Sequence, residues 1–170
     1  MTPVVVLVGP PGALTSETGR ALAGRLGAPL VDTDDEVAAS AGKPVAEIFV
    51  DDGEATFRDL ERAVATRALG EHQGVLVLGS GAVMDPLVEE ALSGHTVAFL
   101  DVSVADAARR LAIGGTRSAA LGNPRAQWLR LMERRRPVYA RVATVTVPTD
   151  GLGPAQVAAR VEAALAEATP

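Results

Sequence analysis

Four short apolar runs constrain the possible folds more than any other feature of this 170-residue sequence. They span residues 4–8, 75–78, 96–100 and 144–147, and each is rich in β-branched side chains. Their apolar character is continuous rather than alternating, which is typical of strands covered on both faces, as in a parallel sheet. A shorter strand is predicted at residues 29–31. The sequence therefore predicts an α/β protein with a central five-stranded parallel sheet.

Segments with helical periodicity alternate with these strands, at residues 16–26, 34–41, 56–69, 86–92, 104–111, 124–135 and 154–168. Helices between parallel strands cover both faces of the sheet, so the predicted architecture is a three-layer α/β/α sandwich. The length suits a single domain spanning residues 1–170. Residues 113–123 are rich in glycine and small side chains, and they predict a loop that acts as a lid over a site.

The composition argues against several classes of function. The chain has no cysteine and two histidines, so thiolate or histidine metal sites are not expected. A net charge of −5 with one short basic run, residues 134–136, argues against a nucleic-acid partner. We find no membrane-spanning run and no secretory signal, and therefore expect a cytoplasmic location without a membrane partner. Lys43 is the sole lysine.

The first strand runs directly into residues 9–20, GPPGALTSETGR, which resemble a nucleotide-binding loop. Gly9, Gly12 and Ser16 keep the strand-turn-helix arrangement that presents backbone N–H groups to an anion. The full motif reads G-x-x-x-x-G-K-S/T, and here Leu14 replaces its second glycine and Thr15 its lysine. The loop either binds ATP weakly or is a turn without a ligand.

Polar side chains follow two further strands at the edge where parallel sheets bind ligands. Asp32 and Asp34 follow the second strand, and either belong to a site or cap a solvated helix. Arg58 and Glu61 are three residues apart, a spacing at which helical side chains can pair. A tight glycine turn at residues 79–81 follows the next strand. Bidentate arginines suit carboxylate and phosphate groups, and two are candidates for this role: Arg117 and Arg135.

In this order, the motifs resemble the shikimate kinases, members of the nucleoside-monophosphate-kinase-like group of P-loop proteins. The resemblance rests on D-T-D at residues 32–34, F-x-x-x-G-E-x-x-F-R-x-x-E at residues 49–61, the glycine cluster at residues 79–81 and R-x-P-x-Y at residues 135–139. It implies a P-loop kinase fold with a substrate-binding segment at about residues 33–61 and a lid at about residues 112–124. It also implies a monomer.

The resemblance further implies a role for each site residue. Asp34 would bind the shikimate hydroxyls and accept a proton, and Arg117 would close over the phosphates as the second catalytic residue. Ser16 and Asp32 would ligate Mg²⁺. The acceptor pocket would comprise Asp34, Phe57, Arg58, Gly79, Ser80, Gly81 and Arg135. The altered nucleotide site would comprise Gly9, Gly12, Leu14, Thr15, Ser16 and Arg117.

Most departures from the family pattern lie on the ATP side. Besides Leu14 and Thr15, Ser118 replaces a proline of the lid, and residues 147–152 lack the usual adenine-binding side chains. On the acceptor side, Ser80 interrupts a run of three glycines. The favoured hypothesis is a homologue with little or no kinase activity that still binds shikimate or a similar cyclic polyhydroxy-carboxylate. The alternatives are an active shikimate kinase using ATP and Mg²⁺, and a non-catalytic regulatory subunit of aromatic biosynthesis.

Overall fold

A computed structural model of the chain describes residues 3–113 and 122–168, and within these residues it contains one five-stranded parallel sheet. The strand order is β2-β3-β1-β4-β5, so β1 lies at the centre between β3 and β4. The strands are β1 Val5–Val8, β2 Leu30–Asp32, β3 Val75–Val77, β4 Val97–Asp101 and β5 Val145–Pro148. The predicted parallel sheet is confirmed, with no strand end shifted by more than one residue.

Helices cover both faces of this sheet. No residue of β1 is more than 1% exposed, although its successive side chains point to opposite faces. The helices α1 and α8 pack against each other on the sheet, while α7 packs on β4. In chain order the helices are α1 Thr15–Leu26, α2 Thr33–Ala41, α3 Val45–Asp51, α4 Gly53–Glu71, α5 Pro86–Ala91, α6 Val104–Arg110, α7 Pro124–Val142 and α8 Pro154–Ala168. A 3₁₀ turn, Ala82–Met84, precedes α5.

Two helical features differ from the sequence predictions. The short helix α3 was not predicted, and it is stabilised by burying Ile48 in a small second core formed with Val37, Phe57 and Val64. The predicted helix 124–135 continues through Pro137 as far as Val142. Proline normally ends a helix because it lacks an N–H group and clashes with the preceding turn. Here the contacts of α7 with the rest of the molecule outweigh that preference.

The carboxyl ends of the strands bring the sequence motifs to one edge of the sheet. The loop of residues 9–16 that resembles a nucleotide-binding loop, called the phosphate loop below, follows β1. Asp32 ends β2, and the glycine turn of residues 79–81 follows β3. Residues 114–121, which include Arg117 and Ser118 of the predicted lid, lie outside the described residues. None of the helices in the described part of the chain is long and apolar enough to cross a membrane.

Candidate active site

The loop between β1 and α1 retains the backbone conformation of the full nucleotide-binding motif, although its sequence departs from that motif. Leu14, immediately before α1, has φ 61° and ψ 33°, in the left-handed region. Among the described residues, Leu14 and Ala112 are the non-glycine residues with positive φ. A branched side chain is disfavoured in this conformation by about 1–2 kcal/mol, whereas glycine adopts it freely. The loop is therefore built for glycine at position 14, and Leu14 occupies that position under strain.

Long-range contacts hold this loop in place. The indole Nε1 of Trp128 on α7 donates a hydrogen bond to the carbonyl oxygen of Pro11 at 2.9 Å. Arg110, at the end of α6, donates to the carbonyl oxygen of Gly12 at 3.0 Å and to the hydroxyl of Thr149 at 2.9 Å. Its other terminal nitrogen donates to the carbonyl oxygens of Thr149 and Leu152. Arg110 therefore ties the phosphate loop to the loop after β5.

Three basic residues could compensate for the missing lysine, and each is already paired; of these, Arg110 lines the cavity of the phosphate loop. The terminal nitrogens of Arg110 are already bonded to protein oxygens, and Asp106 lies 3.6 Å from one of them. Lys43 forms ion pairs with Asp51 and Asp52 between α2 and α4. Arg20, a residue that could have compensated, projects from α1 to within 3.7 Å of an Asp35 oxygen. Thr15 therefore leaves the described part of this loop without an ammonium group for a bound phosphate.

The residues predicted to ligate magnesium lie in direct contact. The Ser16 hydroxyl donates to Asp32 Oδ2 at 2.6 Å, and the other Asp32 oxygen accepts from the backbone N–H of Asp34 at 3.1 Å. Among the described residues, no three acidic or histidine side chains cluster tightly enough to hold a metal. Mg²⁺ prefers one or two carboxylates completed by phosphate oxygens and water. The hydroxyl and the carboxylate fit such an ion, provided that a nucleotide supplies the remaining oxygens.

Asp34 lies where the phosphate-loop cavity meets the acceptor motifs. A cavity of about 330 Å³ is lined by Leu14, Thr15, Ser16, Asp32, Asp34, Gly79 and Ser80, among others. The pKa of Asp34 is raised from 3.8 to about 6, mainly by burial and further by the charges of Asp32, Glu61 and Asp35, while Arg58 acts in the opposite direction. A carboxyl with such a pKa is poised to accept a proton near neutral pH.

A second cavity, of about 530 Å³, contains both arginines predicted to bind a carboxylate. Its lining includes Arg58, Arg135 and Gly81. Arg58 Nη1 lies 2.6 Å from Glu61 Oε2, and Glu61 is 3% exposed. Burial raises the pKa of Glu61, an effect that its hydrogen bond from Arg58 partly offsets. The pairing thus holds one guanidinium at the cavity wall.

Phe57 shapes this cavity through Arg58 rather than by lining it. The Phe57 ring is 4% exposed and packs against Phe49 with 4.4 Å between ring centroids. The guanidinium carbon of Arg58 lies 5.2 Å from the Phe57 centroid, within the range of cation–π attraction. The aromatic pair therefore supports the arginine from behind.

The sequence motifs missed two contributors to the site, Arg110 and Trp128. Each acts on the phosphate loop from a distant part of the chain, 98 residues away for Arg110 and 117 for Trp128. No local pattern marks such contacts, because only the folded sheet brings these segments together.

Comparison with known proteins agrees with this geometry. A sequence profile described as "Shikimate kinase" matches residues 11–166. A shikimate kinase of Salinispora arenicola is 51% identical over 166 residues, which cover 98% of this chain and 99% of the relative. One of Thermobifida fusca is 47% identical over 156 residues, covering 92% of this chain and 91% of the relative.

Similarity extends to solved structures. The shikimate kinase from Acinetobacter baumannii in complex with shikimate has a TM-score of 0.88 and 27% identity, covering 99% of this chain and 95% of that chain. The predicted P-loop kinase fold is thereby confirmed. The comparisons support kinase function better than its loss, and loss of function through Leu14 and Thr15 stays a prediction. A profile match over most of the chain, together with near full-length relatives, shows that this chain belongs to the shikimate kinase family.

Proposed function

We propose that this chain phosphorylates shikimate with ATP and Mg²⁺, at a rate reduced by its altered phosphate loop. The observation that carries the proposal is Asp34, a carboxyl with a pKa of about 6 between the Ser16–Asp32 pair and the arginine-lined cavity. The base serves the phosphoryl acceptor, and the Ser16–Asp32 pair, which would ligate Mg²⁺, serves the phosphoryl donor. Relatives named shikimate kinase, 45–52% identical to this chain, support the same reaction.

On the acceptor side, Arg58 and Arg135 bind the ring carboxylate of shikimate by charge-assisted hydrogen bonds. This anchor directs the hydroxyl groups of the ring towards Asp34. Asp34 binds the reacting hydroxyl and accepts its proton as the oxygen attacks the phosphorus atom. Gly79 and Gly81 lie so close to Asp34 and Arg58 that neither position has room for a side chain. Phosphoryl transfer depends mainly on such positioning.

On the donor side, the backbone of residues 9–16 surrounds the phosphates, with Gly9 and Gly12 allowing close approach. Ser16 and Asp32 hold Mg²⁺, which supplies charge neutralisation on the phosphate oxygens. The family resemblance assigns Arg117, which lies outside the described residues, to the phosphates. Thr15 offers a hydroxyl in place of an ammonium group, and by comparison with the loss of one preorganised donor this costs roughly 10²–10³ in rate.

A second candidate function is binding of shikimate without turnover. Two observations favour it: Leu14 is strained at a position that suits glycine, and the described part of the phosphate loop lacks a replacement for the lysine ammonium. Under this proposal the Asp34 site still binds the acceptor, while ATP binds too weakly to react. No observation on the described residues favours a regulatory subunit. The cytoplasmic location and the monomeric state stay predictions.

Restoring the phosphate loop separates the two functions. We would measure ADP release and shikimate 3-phosphate formation with the unaltered chain, the L14G/T15K variant and an L14G/T15K/D34N control. The proposal predicts slow turnover by the unaltered chain and an increase of roughly 10²–10³-fold in L14G/T15K, abolished by D34N. Binding of shikimate is measured in parallel by calorimetry.

The outcomes are distinct. Turnover restricted to L14G/T15K, with shikimate bound equally by both proteins, would establish the binding function and reject the proposed catalysis. Absence of turnover and of shikimate binding in both proteins would reject both functions. The single variant L14G also tests the backbone conformation, because removing the strain should raise the free energy of unfolding by about 1 kcal/mol.

A further inference from the structure

Within the glycine turn after β3, position 80 differs from its two neighbours. A side chain at Gly79 would place its Cβ 2.6 Å from Asp34 Oδ1 and 2.8 Å from Glu61 Oε1. A side chain at Gly81 would collide with the guanidinium of Arg58. Those two glycines are thus required by the close approach of acceptor-site side chains, whereas position 80 has room for a side chain and carries Ser80.

Ser80 is held by α7 through both of its oxygen atoms. Arg135 Nη1 donates a hydrogen bond to the Ser80 hydroxyl at 3.2 Å. The Tyr139 hydroxyl donates to the Ser80 carbonyl oxygen. Tyr139 is fully buried and stacks on Phe99 with 5.1 Å between ring centroids, so this second contact fixes the backbone of the turn. Because Arg135 and Tyr139 are four residues apart, they lie on the same face of α7.

The two carboxylate-binding arginines are held in different ways. Arg58 pairs with Glu61 and lies 3.6 Å from Glu54, so carboxylates hold its guanidinium. Arg135 forms no ion pair within the part of the chain that the structure describes, which leaves its charge available for a ligand. A flexible arginine loses rotamer freedom when it is fixed by a ligand. The uncharged Ser80 hydroxyl orients this guanidinium without neutralising it.

We propose that Ser80 is a positioning residue for Arg135 and, through it, strengthens recognition of the acceptor's carboxylate. The inference rests on the acceptor site of the proposed function, but it does not depend on turnover or on the state of the phosphate loop. A hydrogen bond of this kind is worth roughly 0.5–1.5 kcal/mol. Removing the hydroxyl should therefore weaken carboxylate binding by roughly threefold to tenfold.

The test is calorimetric binding of shikimate and of its uncharged methyl ester to the unaltered chain and to S80A, S80T and R135Q. We expect S80A to raise the Kd of shikimate by about threefold to tenfold and to leave the Kd of the ester unchanged. S80T keeps the hydroxyl and should stay within about twofold of the unaltered chain. In the S80A/R135Q double variant, S80A should add nothing further, because the residue through which it acts is gone.

Equal weakening of both ligands by S80A, or an undiminished effect of S80A in the R135Q background, would show that Ser80 does not act through Arg135 on the carboxylate. In that case shikimate still binds the unaltered chain and the proposed function stands. An unaltered chain that binds neither ligand would instead overturn the acceptor site itself. Circular dichroism of each variant establishes that the fold is retained before binding is compared.

Discussion

The carboxyl group of Asp34 lies near three other acidic residues, Asp32, Asp35 and Glu61, while the charge of Arg58 acts in the opposite direction. Desolvation has the largest effect on its pKa, and the neighbouring negative charges add to it. A protein that needed only stability would not place a half-buried carboxyl among other negative charges here. The cost is explained if the group works as a base, because a catalytic pKa must lie near the working pH.

This arrangement predicts that Asp34→Asn stabilises the chain at neutral pH. The folded-state pKa of about 6 exceeds the ordinary value of 3.8, so protonation favours the folded state. That stabilisation is fully present below about pH 4 and is lost as the pH rises through 6. The variant should therefore gain about 3 kcal/mol in free energy of unfolding at pH 7.5 and little at pH 4. Urea unfolding at both pH values measures the difference.

The matched control is Asp35→Asn, since the Asp35 side chain is 74% exposed. This control should change the unfolding free energy by less than about 0.5 kcal/mol at either pH. If Asp34→Asn were destabilising at pH 7.5, or gave the same gain at pH 4, the raised pKa would be wrong. Turnover gives an independent check, because kcat/KM of the active protein should rise with pH up to about 6 and then level off.

At the scale of single residues, the sequence predicted those parts of the site whose residues lie together in a short motif. Asp32 and Asp34 share one motif, and Arg58 lies in another with Glu61. The hydrogen bond from Arg135 to Ser80 joins residues 55 positions apart, and the sequence marked Ser80 only as a pocket residue that interrupts the glycine run. Its partner could not be inferred, because the orientation of a hydroxyl in a turn depends on which helix packs above it.

Among the elements, α7 contacts both halves of the site. Near its start, the Trp128 indole donates to the Pro11 carbonyl in the phosphate loop. Two and three turns later, Arg135 and Tyr139 contact Ser80 beside the acceptor cavity. Arg136 anchors the same helix to both carboxylate oxygens of Asp101 at the end of β4. These contacts explain why the helix continues through Pro137, which the sequence alone marked as its end.

The two ends of α7 should affect different ligands. Trp128→Phe removes the hydrogen bond to the phosphate loop but keeps an aromatic side chain, and Tyr139→Phe removes the hydrogen bond to the glycine turn and keeps the same ring. We expect Trp128→Phe to weaken MgATP by about fivefold and shikimate by less than twofold, and Tyr139→Phe to do the reverse. Each Kd is measured by calorimetry in the L14G/T15K background, so that nucleotide binding is strong enough to quantify. Equal effects of both variants on both ligands would mean that α7 is only a packing element.

The helix α3 was not predicted from the sequence, for a related reason. The segment Val45–Asp51 is too short to show a clear helical period, and Pro44 before it indicates a turn. Its formation depends on Ile48 packing under Phe57, a contact made only once α4 is in place. The strands were predicted well because a continuous β-branched run is a strong local signal. In the sheet, both faces of such a strand are buried, as the run indicates.

At the scale of the whole molecule, the buried apolar side chains of residues 3–113 and 122–168 form two clusters of unequal size. The larger one surrounds the sheet and includes residues from every strand except β2. The smaller one contains four buried residues, Val37, Ile48, Phe57 and Val64, which belong to α2, α3 and α4. Segments with few buried apolar contacts open at lower free energy than the main core. The part of the acceptor site that α2 and α4 carry, Asp34 and Arg58, therefore lies beside the smaller of the two cores.

Hydrogen exchange should reveal this difference as two levels of protection. Backbone amides of α2 and α3 should exchange faster than those of β1, β3 and β4, by roughly 10²-fold or more. Because Arg58 and Asp34 belong to the smaller unit, saturating shikimate should slow exchange in α2–α4 while leaving the central strands unchanged. Ile48→Ala should accelerate exchange in α2–α4 and raise the Kd of shikimate. The control is Val161→Ala in the larger cluster, which should lower global stability without selectively accelerating exchange in α2–α4. Mass spectrometry of peptides from the two regions measures each rate, and uniform exchange across both would show that the small cluster opens only with the whole molecule.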